Sequence, residues 1–282
     1  MYEIGKNSKI IADNIDIHDS VVIGDNVHIE CKSVKIGKFS QIGNNIKINC
    51  RNLEIGTWLF MWDGVEIGRG GCNGPNSNVK IGNYVGIFEN TIINPSESVE
   101  IGDNVGIGSE VMIWTHGAWL DVLQGFPADF GPVKIGNDVW LPARNIVLPN
   151  VTIGNNSVIG IGSIVNRDIP EGSLAAGSPC KVIKENYYPK PLDEEKQKEL
   201  ILQIIDDWCK LHKIKGIKYT NVKYENGKII LSQLDSIEIN ETIYHIKERE
   251  IEGYINNVSE DLRDYLRRRG IKIYTDRLFK SI

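Results

Sequence analysis

Ile135, Leu141, Val147, Ile153, Ile159 and Val165 follow one another at intervals of six residues. An amphipathic helix repeats its apolar face about every 3.6 residues and a strand about every 2. A six-residue period belongs to neither. It suits a chain that turns a corner every six residues and points one aliphatic side chain inward per turn, the pattern of a parallel β-helix. The same interval links Ile11, Ile17, Ile23 and Ile29, then Ile36, Ile42 and Ile48, then Ile55, Met61 and Ile67. It returns at Ile81, Ile87 and Ile93 and at Ile101, Ile107 and Ile113. Gly follows the aliphatic at Gly24, Gly37, Gly56, Gly68, Gly82, Gly102, Gly136 and Gly154, and Asn or Asp often comes next. These residue types accept the tight or left-handed backbone that a corner demands. Three hexads make a triangular coil of about 18 residues, and roughly nine coils stacked ~4.8 Å apart make a prism ~40 Å long. Each coil buries its aliphatics only against its neighbours, so stability is nearly one-dimensional.

The repeat occupies residues 1–184, a charged, proline-containing linker occupies 185–191, and residues 192–282 change character. In this last part Leu200, Ile201, Ile204, Ile205, Trp208 and Leu211 form a helical stripe within Glu194 to Leu211. Strands are expected at Ile217 to Val222 and Ile229 to Leu231 around the hairpin signal Asn226-Gly227, and again between Ile237 and Ile246. A helix capped by Ser259 should run to Arg269 and stop at Gly270, with a last strand at Ile271 to Tyr274. The expected fold class is therefore a β-helix with a small C-terminal α+β domain.

Two segments break the rhythm. Arg69 to Asn78, RGGCNGPNSN, is a run of turn formers without the Gly-Lys-Ser/Thr ending of a phosphate-binding loop, and reads as a surface excursion. His116 to Pro132 interrupts the repeat once more and begins with a histidine, and loops on a rigid scaffold are where chemistry concentrates.

Composition sets bounds on these readings. With 41% hydrophobic and 24% charged residues the chain is an ordinary globular sequence, and a net charge of −5 neither favours nor opposes an anionic partner such as nucleic acid. No apolar run approaches the ~18 residues of a membrane span, and the first residues do not read as a signal peptide. Five dispersed cysteines, none in a Cys-x-x-Cys pair, suggest free thiols in a reducing cytoplasm.

The stretch from Val133 to Ile183 resembles the carboxyl half of hexapeptide-repeat acetyltransferases, most of all the maltose and galactoside O-acetyltransferase type that also includes surface-polysaccharide O-acetyltransferases. The resemblance rests on the aliphatic-Gly-Asn-Asp-Val-Trp run ending at Trp140, the Leu-Pro-x-Val-x-Ile-Gly run from Leu148 to Gly154, and Ala-Gly-x-Pro from Ala176 to Pro179. It covers residues 1–184 in fold and 80–184 in detail, and leaves out the C-terminal 90 or so residues. It implies a left-handed coil, a homotrimer, and acetyl-CoA lying between neighbouring prisms. It also implies that His116, at the start of the long loop, is the catalytic base, and that no metal is required.

Transfer of an acetyl group from a thioester to a hydroxyl needs a base for the hydroxyl proton, and an imidazole with an ordinary pKa near ~6.5 suits that task. The other histidines, His18, His28, His212 and His245, read as structural or surface residues. Asn90 falls near a family asparagine at the reacting centre, and its neighbour Glu89 is an alternative group for orienting His116. By the same resemblance Trp140 lies against the pantetheine arm, Gly160 and Gly162 let the carrier approach the backbone, and Arg167 and Lys181 pair with its phosphates. Trp58, Phe60, Trp62, Trp114, Trp119, Phe126 and Phe130 supply flat faces for a sugar ring or for the core and trimer contacts. Arg263, Arg267, Arg268, Arg269 and Lys272 read as a solvated helix end, or a dock for an acidic glycan or a nucleotide diphosphate. The expected activity is O-acetylation of a sugar or bacterial surface-glycan acceptor in the cytoplasm. The alternative within the fold is N-acetylation of a nucleotide-linked amino sugar. A carbonic anhydrase would need three histidine ligands from adjacent coils, which the spacing of His18, His28 and His116 does not suggest, and a non-catalytic prism would not need the His116 loop.

Overall fold

An aliphatic side chain every six residues is buried only if successive coils stack in register, and the structure shows that stacking. It is a computed structural model that describes residues 2–72, 74–216, 218–219, 221–235 and 238–280. The chain divides into two units, Met1–Lys190 and Pro191–Ile282.

The first unit is a left-handed parallel β-helix of three faces. Face 1 stacks Glu3–Ile4, Val22–Ile23, Gln41–Ile42, Phe60–Met61, Gly86–Ile87, Gly106–Ile107, Trp140–Leu141, Val158–Ile159 and Leu174–Ala176 in parallel, and Lys181–Lys184 closes it antiparallel. Face 2 carries Glu66–Ile67, Ile92–Asn94, Met112–Trp114, Ile146–Val147 and Ile164–Val165. Face 3 carries Asn78–Ile81, Val99–Ile101, Val133–Ile135 and Thr152–Ile153. The inward residues are dry: Ile135, Leu141, Val147, Ile153, Ile159 and Val165 are all 3% exposed or less. A second inward residue stands two places earlier in each hexad. It is Val139 or Val151 in some coils and a buried Asn145, Ser157 or Ser163 in others. The polar ones are paired, as burial requires: Asn145 Oδ1 accepts from the Ser163 amide at 2.8 Å, and Ser157 Oγ donates to the Pro170 carbonyl at 3.0 Å.

The coils depart from the expected 18 residues. Val22 pairs with Gln41 and Gln41 with Phe60, nineteen residues apart, and only later does Trp140 pair with Val158, eighteen apart. The extra residue always enters at one corner. From face 1 to face 2 the inward step is six in every coil from Ile23–Ile29 to Ile159–Val165, and from face 3 to face 1 it is six from Ile36–Ile42 to Ile153–Ile159. From face 2 to face 3 it is seven at Ile29–Ile36 and Ile48–Ile55, where two arms fuse into the nine-residue strands His28–Ile36 and Lys47–Ile55. One sequence expectation is corrected here. Ile11 is not an inward residue: Ile10 pairs with Ile29, and Ile11 pairs with outward Glu30 and is 48% exposed. The step from Ile10 to Ile17 is another seven at the same corner.

The corner glycines also have a different role from the expected one. The left-handed residue stands two places after its glycine, as at Asn26, Asn45, Asn104 and Asn156, with φ of 55–57°, and also at Phe39, Trp58, Tyr84 and Asp138. Gly24 is needed for closeness, because a Cβ there would stand 2.6 Å from Asn44 Oδ1 and from the Gly43 carbonyl oxygen. That side chain is part of a ladder between coils: the Asp25 amide donates to Asn44 Oδ1 and the Asn44 amide to Asp63 Oδ1, both at 2.8 Å.

The second unit packs two helices on a four-stranded antiparallel sheet of Asn221–Glu225, Lys228–Asp235, Glu238–His245 and Glu250–Gly253. Helix α1, Glu194–Lys215, is capped by Asp193 and buries Ile201, Ile205, Trp208 and His212, one turn more than the expected stripe. Asn226 and Gly227, with φ of 50° and 77°, make the expected tight hairpin. The expected strand starts Ile217 and Ile237 lie outside the described residues. Helix α2, Asn257–Arg267, is capped by Asn256, with Ser259 as its reciprocal partner three places on. The strand at Glu250–Gly253 was not anticipated, and Ile271 to Tyr274 is not a strand. The arginine run is no free helix end: Arg263 is fully buried and donates to Glu260 and to the Ile273, Arg277 and Leu278 carbonyls, while Arg267 and Arg268 both pair with Asp264. No helix among the described residues is long and apolar enough to cross a membrane.

Candidate functional site

The two breaks in the repeat emerge from the same corner, between faces 2 and 3. The Arg69–Asn78 excursion follows the strand Glu66–Ile67, and the His116 loop follows Met112–Trp114 two coils later. The coil between them contributes Asn94 to Glu97. Stacking in register therefore sets the excursion, Asn94–Ser96 and His116 one above the next.

The long loop is an antiparallel hairpin, His116–Ala118 against Ala128–Phe130, with a short 3-10 turn at Val122–Gln124. Its tip exposes Trp119 at 95% and Leu123 at 92%. Pairing of His116 with Phe130 stacks the imidazole on the phenyl ring at 5.7 Å between centroids, and Trp114 meets the imidazole edge-on at 6.4 Å. His116 Nδ1 lies 2.8 Å from Asn94 Oδ1 and 3.0 Å from Ser96 Oγ. Asn94 is fully buried, and its Nδ2 donates to the Gly68 carbonyl at 3.0 Å, the Gly70 carbonyl at 3.2 Å and the Arg69 carbonyl. Ser96 Oγ donates to the Gly70 carbonyl at 3.0 Å. Thr115, also fully buried, donates to the Asn94 carbonyl at 2.8 Å and accepts from the Glu97 amide. The Cys72 thiol donates to the Arg69 carbonyl at 3.0 Å, and burial pushes its pKa up to about 11. Gly68 and the start of the expected surface excursion, Arg69 to Cys72, are thus built into the floor of the site, while Pro75 and Asn76 are exposed as expected.

The other residues singled out in the sequence lie elsewhere. Asn90 sits at the face 1 to face 2 corner with φ 56°, exposed, its amide donating to the Asp63 carbonyl at 3.2 Å. The asparagine that reaches the imidazole is Asn94. Glu89 does not orient His116; its carboxylate accepts from Ser109 Oγ at 2.6 Å. Trp140 stands on the outer side of face 1, 58% exposed. Gly160 and Gly162 turn the next corner, and Gly162, with φ 68°, has open space where a Cβ would point. Lys181 lies on the closing strand of face 1. Arg167 shares the His116 corner, two coils farther along, or ~10 Å at the usual strand spacing. Of the aromatic set, Trp114 and Phe130 join His116, whereas Trp58 is buried and Trp62 stacks on Phe88 on face 1 at 6.0 Å. His18 bonds Ser20 and His28 faces Glu30 on the first coils, so neither joins His116. The signal for Asn94 and Ser96 was available in the step from Ile93 to Ile101, which is eight instead of six.

Comparison with known proteins agrees with this architecture. Residues 132–167 match the model of the bacterial transferase hexapeptide (six repeats). The galactoside O-acetyltransferase of Escherichia coli K12 is 43% identical over 112 residues, which is 39% of this chain and 55% of that protein. The chain thus spans a little over half the length of such curated relatives. A solved galactoside acetyltransferase in complex with coenzyme A is 33% identical, covering 50% of this chain and 71% of that one, with a TM-score of 0.41. A maltose O-acetyltransferase from Clostridium difficile 630 is 32% identical, covering 51% and 68%, with a TM-score of 0.32. The chain thus carries the hexapeptide repeat of bacterial transferases and is similar, over that repeat, to acetyltransferases that share it.

Proposed function

We propose that this chain is an acetyl-CoA-dependent O-acetyltransferase acting on a hydroxyl of a sugar or surface-glycan acceptor, with His116 as the general base. The observation that carries this reading is the held imidazole. Its Nδ1 is engaged by Asn94 and Ser96 and its ring is stacked on Phe130, which leaves Nε2 for an acceptor. His116 Nε2 takes the hydroxyl proton as the hydroxyl oxygen bonds to the acetyl carbon. The imidazolium then returns that proton to the departing sulfur. A base so placed is worth about 10²- to 10⁴-fold in rate.

Acetyl-CoA would supply the activated acetyl group. The residues fit such a carrier: Trp140 and Ile161, 58% and 72% exposed, offer an apolar strip, Gly162 leaves the backbone approachable, and Arg167 and Lys181 are exposed cations. In one chain, face 1 lies across the triangular section from the His116 corner. A homotrimer, in which face 1 of one copy meets the His116 corner of the next, unites the two halves. The exposed Trp62, Phe88, Trp140 and Ile161 support burial of this side against another copy. A galactoside acetyltransferase among the relatives supports a sugar acceptor, and five free cysteines go with a cytoplasmic location.

His116→Ala should lower turnover by about 10²-fold or more while acetyl-CoA affinity and the circular dichroism spectrum stay unchanged. A loss under about tenfold, with fold and carrier binding intact, removes His116 as the base. A parallel screen of sugar hydroxyls and amino sugars separates O- from N-transfer.

A further inference from the structure

A neutral imidazole carries its proton on one nitrogen, and only the bare nitrogen is a base. Free in water, the histidine side chain favours the proton on Nε2, the wrong form for a base acting through that atom. The surroundings of His116 reverse this preference, and the reversal starts in the glycine-rich excursion.

The Gly68, Arg69 and Gly70 carbonyls converge on the buried amide of Asn94. A carbonyl has no proton to give, so Asn94 must turn its NH₂ group toward them, which aims Oδ1 at His116 Nδ1, 2.8 Å away. Ser96 has one hydroxyl proton. The Gly70 carbonyl at 3.0 Å takes it, so a lone pair of Oγ faces Nδ1, also at 3.0 Å. Nδ1 therefore meets two acceptors and must hold the proton. The backbone that makes this possible is unusual: Gly70 and Gly71 have φ of 26° and 78°, and a Cβ on Gly71 would strike Ser96 Oγ.

We infer that the carbonyls of Gly68 to Gly70 act through Asn94 and Ser96 as a positioning device that selects the Nδ1–H tautomer of His116 and so bares Nε2. Asn94 and Ser96 are positioning residues, and the excursion is the element that sets which of their atoms face the ring. The kinetic part of this inference rests on His116 being the base; the tautomer itself does not.

The test is nitrogen NMR on the full chain labelled with ¹⁵N-histidine, at a pH where the imidazole is neutral. Wild type should show His116 protonated on Nδ1. Asn94→Ala with Ser96→Ala should return it to the Nε2–H form and lower kcat by about 10²-fold with little change in the KM for acetyl-CoA. Asn94→Asp keeps an acceptor at Nδ1, so it should retain the tautomer. Its charge should favour the imidazolium and move the acid limb of the pH–rate profile to higher pH. If the alanine variant does not fold, the wild-type tautomer and the Asn94→Asp profile still decide. A wild-type His116 protonated on Nε2, or an unmoved acid limb in Asn94→Asp, overturns the inference. If His116→Ala abolishes turnover while wild type shows the Nε2–H form, this inference fails and His116 remains the base, acting through its minor tautomer. If wild type shows Nδ1–H and His116→Ala stays active, the proposed function fails alone.

Discussion

Two corners of the prism never change and the third never settles. At the first two, every inward step is six residues and each coil sits tightly on the next. At the third, the steps run seven, seven, fourteen, eight and twenty-two from Ile29 to Ile135 before returning to six at Val147–Ile153. The difference is steric. A regular corner places a glycine under the side chain and backbone of the following coil, as Gly102 lies under Asn137, with no room for a Cβ or an added residue. The third corner has no such stack through its middle coils, so chain can leave and return there. The excursion, Asn94, Ser96 and His116 all sit at the corner where the ladder is open. The scaffold repeats strictly along two edges and gathers its candidate site on the edge where the repeat is allowed to fail.

This contrast can be broken most directly by insertion. One alanine added between Gly102 and Asp103 should cost more than about 3 kcal/mol, since it displaces a packed coil and the side-chain ladder above it. The same residue added between Pro75 and Asn76, both exposed, should cost less than about 0.5 kcal/mol. Equal shifts in the urea midpoint would end the distinction between corners. A milder form uses one methyl group. In Gly102→Ala the new Cβ would stand 2.8 Å from the Gly136 carbonyl carbon, and about 1–3 kcal/mol should be lost. Gly117→Ala, in the hairpin with nothing within 4 Å, should stay within about 0.5 kcal/mol of wild type.

The smallest effect is chemical. On the fused strands of the third corner Cys31 and Cys50 face each other with 3.5 Å between sulfurs. The hydrogen bond from Cys50 holds the Cys31 thiol below the usual range, and the same bond, with burial, pushes Cys50 up. As pH rises Cys31 becomes a thiolate first. Iodoacetamide at mildly alkaline pH should therefore modify Cys31 ahead of Cys50 and Cys72, read by peptide mass spectrometry. Equal labelling of Cys31 and Cys50 would contradict the assigned donor.

The second unit shows how local a legible signal must be. Asn226-Gly227 was readable because two adjacent residues decide the turn. The α2 cap was not, because Asn256 and Ser259 are both competent caps and only the folded chain shows Asn256 capping and Ser259 answering it. Arg263 looked like a solvated helix end. What buries it are three backbone carbonyls ten to fifteen residues downstream, which no periodicity announces.

By itself the sequence determined the β-helix, its faces and the loop that starts at His116, because a one-dimensional repeat makes each residue's neighbours the ones a coil away, and periodicity states those neighbours outright. Tertiary structure alone decided that two breaks and the intervening Asn94 share one corner. It also decided that Asn90 lies at another corner, and that the groups directing the imidazole are backbone carbonyls of a glycine-rich excursion. Backbone carbonyls carry no residue identity, so only their placement in space could reveal them.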